Sequence, residues 1–178
     1  MSIAGVGNYL GTTNYYPQGI QSKTKMVSNS FDSSINLRVN DGDKGDKAIV
    51  SIGHCDGSTI SVFPGEESGQ YRVKRWDENG DEKEYNVDIN NVNPENASYI
   101  EMLTYSAHLE HTGQSDFAFG SFVLAARGVN GDISYDSSNI DIKYDFKRLI
   151  SEFMKFQYDV GNYSGYLKYK ALYDHINQ

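Results

Sequence analysis

The sequence predicts an α+β fold, in which an N-terminal antiparallel β meander precedes a C-terminal group of about four helices. Apolar residues alternate with polar ones from Ile35 to Ile89, and after Val92 their spacing changes to three and four residues. No strand pattern recurs between the later helices. Strands followed by helices, without β-α-β alternation, indicate an α+β domain.

Turn signals divide the first half into strands. Asp56-Gly57 and Asn79-Gly80 are dipeptides typical of hairpin turns. Short segments of period two lie on either side of each turn. The predicted strands cover residues 35–39, 47–52, 59–63, 71–76 and 85–89.

The second half carries four helical patterns, at about residues 93–112, 119–126, 142–158 and 162–176. In the first, Asn93 is the expected cap, Pro94 occupies the first turn and Gly113 ends the helix. An antiparallel sheet with one apolar face needs amphipathic helices to cover it. We expect the third helix to cover that face through Phe146, Leu149, Ile150 and Phe153, together with Leu167 of the fourth helix.

A charge boundary divides the chain near Asp32. Residues 1–31 contain none of the 24 acidic residues and show no apolar periodicity. The boundary predicts a flexible polar leader, residues 1–31, and a single α+β domain, residues 32–178. An uncleaved export or docking segment is the alternative interpretation of the leader.

The overall charge argues against nucleic-acid binding. The formal net charge is −8, which repels phosphate backbones. The densest basic run, Arg72, Lys74 and Arg75, is followed at once by acidic residues. No apolar run reaches the roughly 18–20 residues of a membrane span, and no signal-peptide pattern opens the chain. We therefore expect no membrane partner and, by default, a cytoplasmic protein, with export that needs no cleavable signal as the alternative.

Cys55 is the only cysteine, and it lies in the pattern Gly53-His54-Cys55-Asp56-Gly57. The spacing G-x-C-x-G is that of a nucleophile elbow, but an elbow leads into a helix. Here the following residues have the pattern of a strand, which favours a simple hairpin turn. A thiol-dependent hydrolase that uses Cys55 with His54, or with a histidine of the first helix, is the alternative.

His108 and His111 lie three residues apart on the first predicted helix. Two histidines on one helix face supply half of a tetrahedral zinc site. No C-x-x-C or H-E-x-x-H pattern supplies the other half, so a solvated helix end is the favoured interpretation. We expect no metal and no other cofactor.

Tyrosine is enriched near the C-terminus, where five tyrosines lie between Tyr158 and Tyr173. Exposed tyrosines suit contacts with a protein partner or a sugar ring. Core packing of the same rings, with the hydroxyl groups at the edge of the core, explains the enrichment equally well and is the favoured interpretation. The candidate partner surface comprises Trp76, Tyr163, Tyr166, Tyr169 and Tyr173.

Two stretches carry a resemblance: residues 1–9, and residues 85–102 with the later Phe119-Gly120-Ser121. The second contains Asn96-Ala97-Ser98 and Ile100-Glu101-Met102. The chain resembles a family of uncharacterised small proteins, with a domain of unknown function, from Gram-positive anaerobic gut bacteria. This resemblance implies no catalytic residues.

Three functions follow as hypotheses. The first is a non-enzymatic binding or accessory protein that acts through protein–protein contacts with an unknown partner. The alternatives are the Cys55 hydrolase and a carbohydrate-binding module that uses tyrosine and Trp76 rings as platforms. Burial of Cys55 and exposure of the aromatic rings discriminate among them.

Overall fold

The structure is a computed structural model that describes residues 47–131 and 133–178. The predicted leader and the predicted strand at residues 35–39 lie outside these ranges. The described residues confirm the α+β prediction, because a four-stranded antiparallel sheet is followed by four helices. The strands are β1 (Val50–Gly53), β2 (Thr59–Pro64), β3 (Gln70–Trp76) and β4 (Glu82–Asp88).

The sheet is a simple meander, with strand order β1-β2-β3-β4. Val62 of β2 lies opposite Val73 of β3, which in turn lies opposite Tyr85 of β4. Alternate residues of β3, namely Tyr71, Val73 and Arg75, are buried, as the period of two requires. One face of the sheet therefore belongs to the core.

The first helix, α1 (Tyr99–His111), begins later than the sequence predicts. The expected cap, Asn93, instead accepts a hydrogen bond from the backbone N–H of Glu95 in a local turn. Ser98 caps the helix in a capping box with Glu101, which satisfies two backbone donors reciprocally. The Ser98-x-x-Glu101 pattern, rather than Asn93-Pro94, marks the start.

Two residues before α1, Ala97–Ser98 (β5), pair with Lys143–Tyr144 (β6) in a small antiparallel sheet. Because Lys143 and Tyr144 belong to this pairing, the third helix begins at Phe146, whereas the sequence predicts a start at about residue 142. Asp145 caps that helix by accepting from the backbone N–H of Arg148. The remaining helices are α2 (Ala118–Ala125), α3 (Phe146–Asp159) and α4 (Tyr163–Ile176).

The packing of the helices corrects the expectation for α3. Helix α1 contacts β3, whereas α3 packs mainly against α4 and also contacts α2. Phe146 and Ile150 are buried as expected, but Phe153 is only partly buried, and Leu167 is 62% exposed. The helices thus form a layer of their own, and α1 joins it to the sheet.

Aromatic rings fill the space where this helical layer meets the β1–β2 end of the sheet. Tyr99 and Tyr135 stack with centroids 4.2 Å apart, and Phe122 contacts both Tyr99 and Phe146 edge-on or tilted. All four rings are buried. Tyr99 and Tyr135 of this cluster form a floor beneath the β1–β2 turn, where Tyr99 meets the ring of His54 edge-on.

Candidate functional site

The β1–β2 turn carries Cys55 and confirms the predicted hairpin. The backbone N–H of His54 donates to the carbonyl of Ser58 (2.8 Å), and that of Gly57 donates to the carbonyl of His54 (3.1 Å). Gly57 has φ +83°, a conformation that glycine adopts without strain. The turn leads into strand β2 rather than a helix, so the elbow geometry is absent here. Cys55 is exposed.

A cavity of about 260 Å³ lies beside this turn, and we call it the β1–β2 cleft. Three distant segments form it: the β1–β2 turn, the first residue of α1, and the end of α2 with the loop that follows. Apolar side chains and charged side chains share its lining. Those used below are Ile52, Val123, Ile133, Cys55, Arg127 and Asp136.

His54 lines the cleft but lacks a hydrogen-bond partner for its buried Nε2 within residues 47–131 and 133–178. Burial lowers the pKa of His54, and the charges of Arg75 and Arg127 lower it further, while Asp56 acts in the opposite direction. Its ring meets Tyr99 edge-on at 5.6 Å. We therefore expect a neutral imidazole at pH 7.

Arg75 lies behind the cleft on the core face of β3 and is 6% exposed. Its Nη2 is 3.8 Å from Oδ2 of Asp56, and its buried Nε has no partner among the described residues. The other oxygen of Asp56 accepts from the N–H and hydroxyl of Ser58. A buried guanidinium that leaves one donor without a hydrogen-bond partner costs free energy. Arg75 and Asp56 place two opposite charges at this end of the core.

The two helix histidines serve different purposes. Nδ1 of His108 lies 2.7 Å from the Tyr71 hydroxyl, and its Nε2 lies 3.3 Å from the side-chain nitrogen of Gln114. His108 thereby links α1 to β3. His111 is exposed at the helix end. No group of three or more His, Cys, Asp or Glu side chains within the described ranges could hold a metal ion.

A second candidate site comprises the turn between α3 and α4 and the adjoining ends of both helices, residues 156–167, which we call the hairpin tip. Nine large apolar side chains are exposed in the described part of the chain, and five of them lie in these twelve residues. Tyr158 contacts Tyr163 and Tyr166 with steeply inclined rings. The five exposed residues are Phe156, Tyr158, Val160, Tyr163 and Leu167.

Hydrogen bonds fix the conformation of the hairpin tip. The backbone N–H of Asn162 donates to the carbonyl of Gln157, and its side-chain amide donates to the Gln157 side chain (2.6 Å). The side-chain oxygen of Asn162, Oδ1, in turn accepts from the N–H of Gly165 and caps α4. A Cβ on Gly165 would approach both side chains within 2.7 Å. The tip is therefore a preorganised surface.

The predicted partner surface does not form one surface. Tyr163 and Tyr166 lie at the hairpin tip, but Tyr169 is only 5% exposed and packs against Phe153 (4.9 Å), which corrects its expected exposure. Tyr173 is half-buried against the core. Trp76 lies at the end of β3 and donates its indole N–H to Glu82 (2.9 Å).

Comparison of the chain with protein-family models, with curated proteins and with solved structures gives no match. The resemblance of residues 1–9 and 85–102 to gut-bacterial proteins therefore stays a prediction. None of the described helices has the length and apolar character needed to cross a membrane.

Proposed function

We propose that this protein is a non-enzymatic binding or accessory protein whose hairpin tip contacts a protein partner. The observation that carries the proposal is the concentration of exposed apolar side chains on a turn of fixed conformation. Contiguous exposed apolar surface is typical of interaction sites. Tyrosine in such a patch supplies large contact area at a small cost in side-chain entropy.

The hairpin tip carries little charge, so it can contact a protein partner of either net charge. Residues 156–167 contain a single charged side chain, Asp159, and it forms an ion pair with Lys155 one turn earlier. The remainder of the protein is strongly acidic. Interface centres are depleted of charge and enriched in tyrosine, and the hairpin tip has both properties.

Ring geometry favours this function over sugar binding. A flat carbohydrate platform needs ring faces that lie in one plane. Tyr158 meets Tyr163 at 75° and Tyr166 at 62°, so these three rings form no flat platform. Trp76 belongs to the sheet and makes its hydrogen bond to Glu82 there.

A photo-crosslinking experiment tests the proposal. A crosslinking residue replaces Tyr158 in the full chain, the captured protein is identified and purified, and its affinity is measured for the unlabelled chain and its variants. Tyr163→Ser and Leu167→Ser should each weaken binding at least tenfold, about 1.4 kcal/mol. Leu124→Ser is the matched control, because Leu124 is 54% exposed outside the tip.

The two tip variants should keep the free energy of unfolding within about 0.5 kcal/mol, as is usual for surface positions. Equal loss of affinity in Leu124→Ser would mean that the contact is not specific to the tip. Unchanged affinity in both tip variants would contradict the proposal.

A further inference from the structure

The β1–β2 cleft has the lining of a small-molecule site, independent of the hairpin tip. Its volume of about 260 Å³ lies below the roughly 300–1,000 Å³ typical of sites for drug-sized ligands. The lining combines the apolar side chains of Ile52, Val123 and Ile133 with a few charged groups. A mostly apolar cavity with a few placed polar groups is the usual form of a ligand site.

The floor of the cleft is held in place. Tyr99 and Tyr135 are 3% and 6% exposed and stack nearly in parallel, at 17°. The Tyr135 hydroxyl donates to the carbonyl of Ala126 (2.8 Å). Burial raises the pKa of Tyr99 to about 12, so this hydroxyl stays neutral at pH 7. Because the floor is fixed and neutral, ligand selectivity depends on the charged groups above it.

Among residues 47–131 and 133–178, the charges at the cleft form two sets of opposite sign. Asp56 of the lining pairs with the buried Arg75 behind it, whose Nη2 lies 3.8 Å from Oδ2 of Asp56. The lining also carries Arg127 and Asp136, and His54 is neutral at pH 7. Addition of a simple anion or cation would upset this balance in a partly enclosed space, where charge is costly. A ligand that carries one charge of each sign would not.

Asp136 and Arg127 are the groups available to such a ligand. The backbone N–H and the hydroxyl of Ser138 both donate to Oδ1 of Asp136 (2.7 and 2.6 Å). These bonds orient the carboxylate and lower its pKa, so Asp136 stays ionised at pH 7 and can accept from an ammonium group. Arg127 is exposed at the rim, where a guanidinium pairs well with a carboxylate.

From these observations we propose that the β1–β2 cleft binds a free α-amino acid with an apolar side chain. Arg127 receives the α-carboxylate, Asp136 accepts from the α-ammonium group, and the side chain lies between the apolar walls. Cys55 lies at the same cleft and provides a native reporter of occupancy, because it is the only thiol in the chain. The proposal does not depend on the function of the hairpin tip.

Isothermal titration of the full chain tests the proposal with leucine, isoleucine, valine, methionine and phenylalanine as probes. For the best binder, the amide (which lacks the carboxylate) and the N-acetyl derivative (which lacks the ammonium) should each bind at least tenfold more weakly. The same amino acid at saturation should slow alkylation of Cys55 by iodoacetamide several-fold, whereas its amide at that concentration should not.

Two variants test which residue binds each charged group of the ligand. Arg127→Gln should weaken binding of the amino acid at least tenfold and leave binding of its amide unchanged. Asp136→Asn should also weaken binding of the amino acid at least tenfold, but it should leave binding of the N-acetyl derivative unchanged. Arg148→Gln, at an exposed arginine of α3, is the matched control and should change nothing. The proposal is overturned if none of the five amino acids binds or if the charge-deleted derivatives bind equally well.

Discussion

Replacement of Phe146 by alanine should destabilise the protein strongly, whereas the same change at Phe156 of the same helix should not. Phe146 is fully buried, and its ring contacts those of Phe122 (5.3 Å), Tyr144 (5.7 Å) and Tyr135 (6.1 Å). Loss of the buried ring removes about 1.5–3 kcal/mol of transfer free energy. The residual cavity brings the total to about 3–5 kcal/mol.

Phe156 provides the control because it is 38% exposed at the hairpin tip. Its removal opens space to solvent rather than a closed cavity, so we expect a cost of about 1–2 kcal/mol at most. Urea unfolding of the wild type and both variants measures the difference, provided that the slope with denaturant stays constant. A Phe146→Ala cost no larger than that of Phe156→Ala would refute the assignment of the core.

Three further predictions concern the helices. Ser98→Ala removes one half of the capping box and should cost about 0.5–2 kcal/mol in urea unfolding. Tyr169→Ala should cost more than about 2 kcal/mol, because the ring is buried, whereas Tyr163→Ala should stay within about 0.5 kcal/mol. Burial, and then the charge of His111, lower the pKa of His108 in the folded state. As pH falls, His108 is therefore protonated at a higher pH in the unfolded chain than in the folded one. The free energy of unfolding should then fall as pH drops through about 6.5. Urea unfolding between pH 8 and pH 5 checks this, since His108→Gln should reduce the dependence and His111→Gln should retain most of it.

The sheet could be predicted from the sequence because its signals are local. Alternation of apolar and polar residues marks the strands, and turn dipeptides mark two of the three connections, Asp56-Gly57 between β1 and β2 and Asn79-Gly80 between β3 and β4. The start of α1 could not be chosen in the same way, because Asn93-Pro94 and Ser98-x-x-Glu101 are both valid start signals. Pairing of Ala97–Ser98 with Lys143–Tyr144 and the ion pair of Glu101 with Lys143 decide between them. Both contacts join residues more than forty positions apart in the sequence.

The buried side of α4 was wrongly predicted for a related reason. Apolar and aromatic residues occur on all sides of α4, so the spacing of its apolar residues predicts no single buried face. Packing against α3 and α2 buries Tyr169, Leu172 and Ile176 and leaves Leu167 in solvent. The sequence points to Tyr163 and Tyr166 of the hairpin tip and to His54 and Cys55 of the β1–β2 cleft. The rest of each site could not be predicted, because it depends on which side chains the helical layer covers.

The hairpin tip and the β1–β2 cleft share no residue, and this separation makes the two proposals independently testable. Effects of distant substitutions without common partners usually add within about 0.5 kcal/mol. A chain that carries both Tyr163→Ser and Arg127→Gln should therefore lose partner affinity and amino-acid affinity by the amounts seen in the single variants. If saturating amino acid instead changes the affinity of the wild type for its partner, the two sites are coupled, and reciprocity requires the partner to change amino-acid affinity by the same factor. Helix α2 would be the element that connects them, since it ends near Arg127 in the cleft and contacts both α3 and α4.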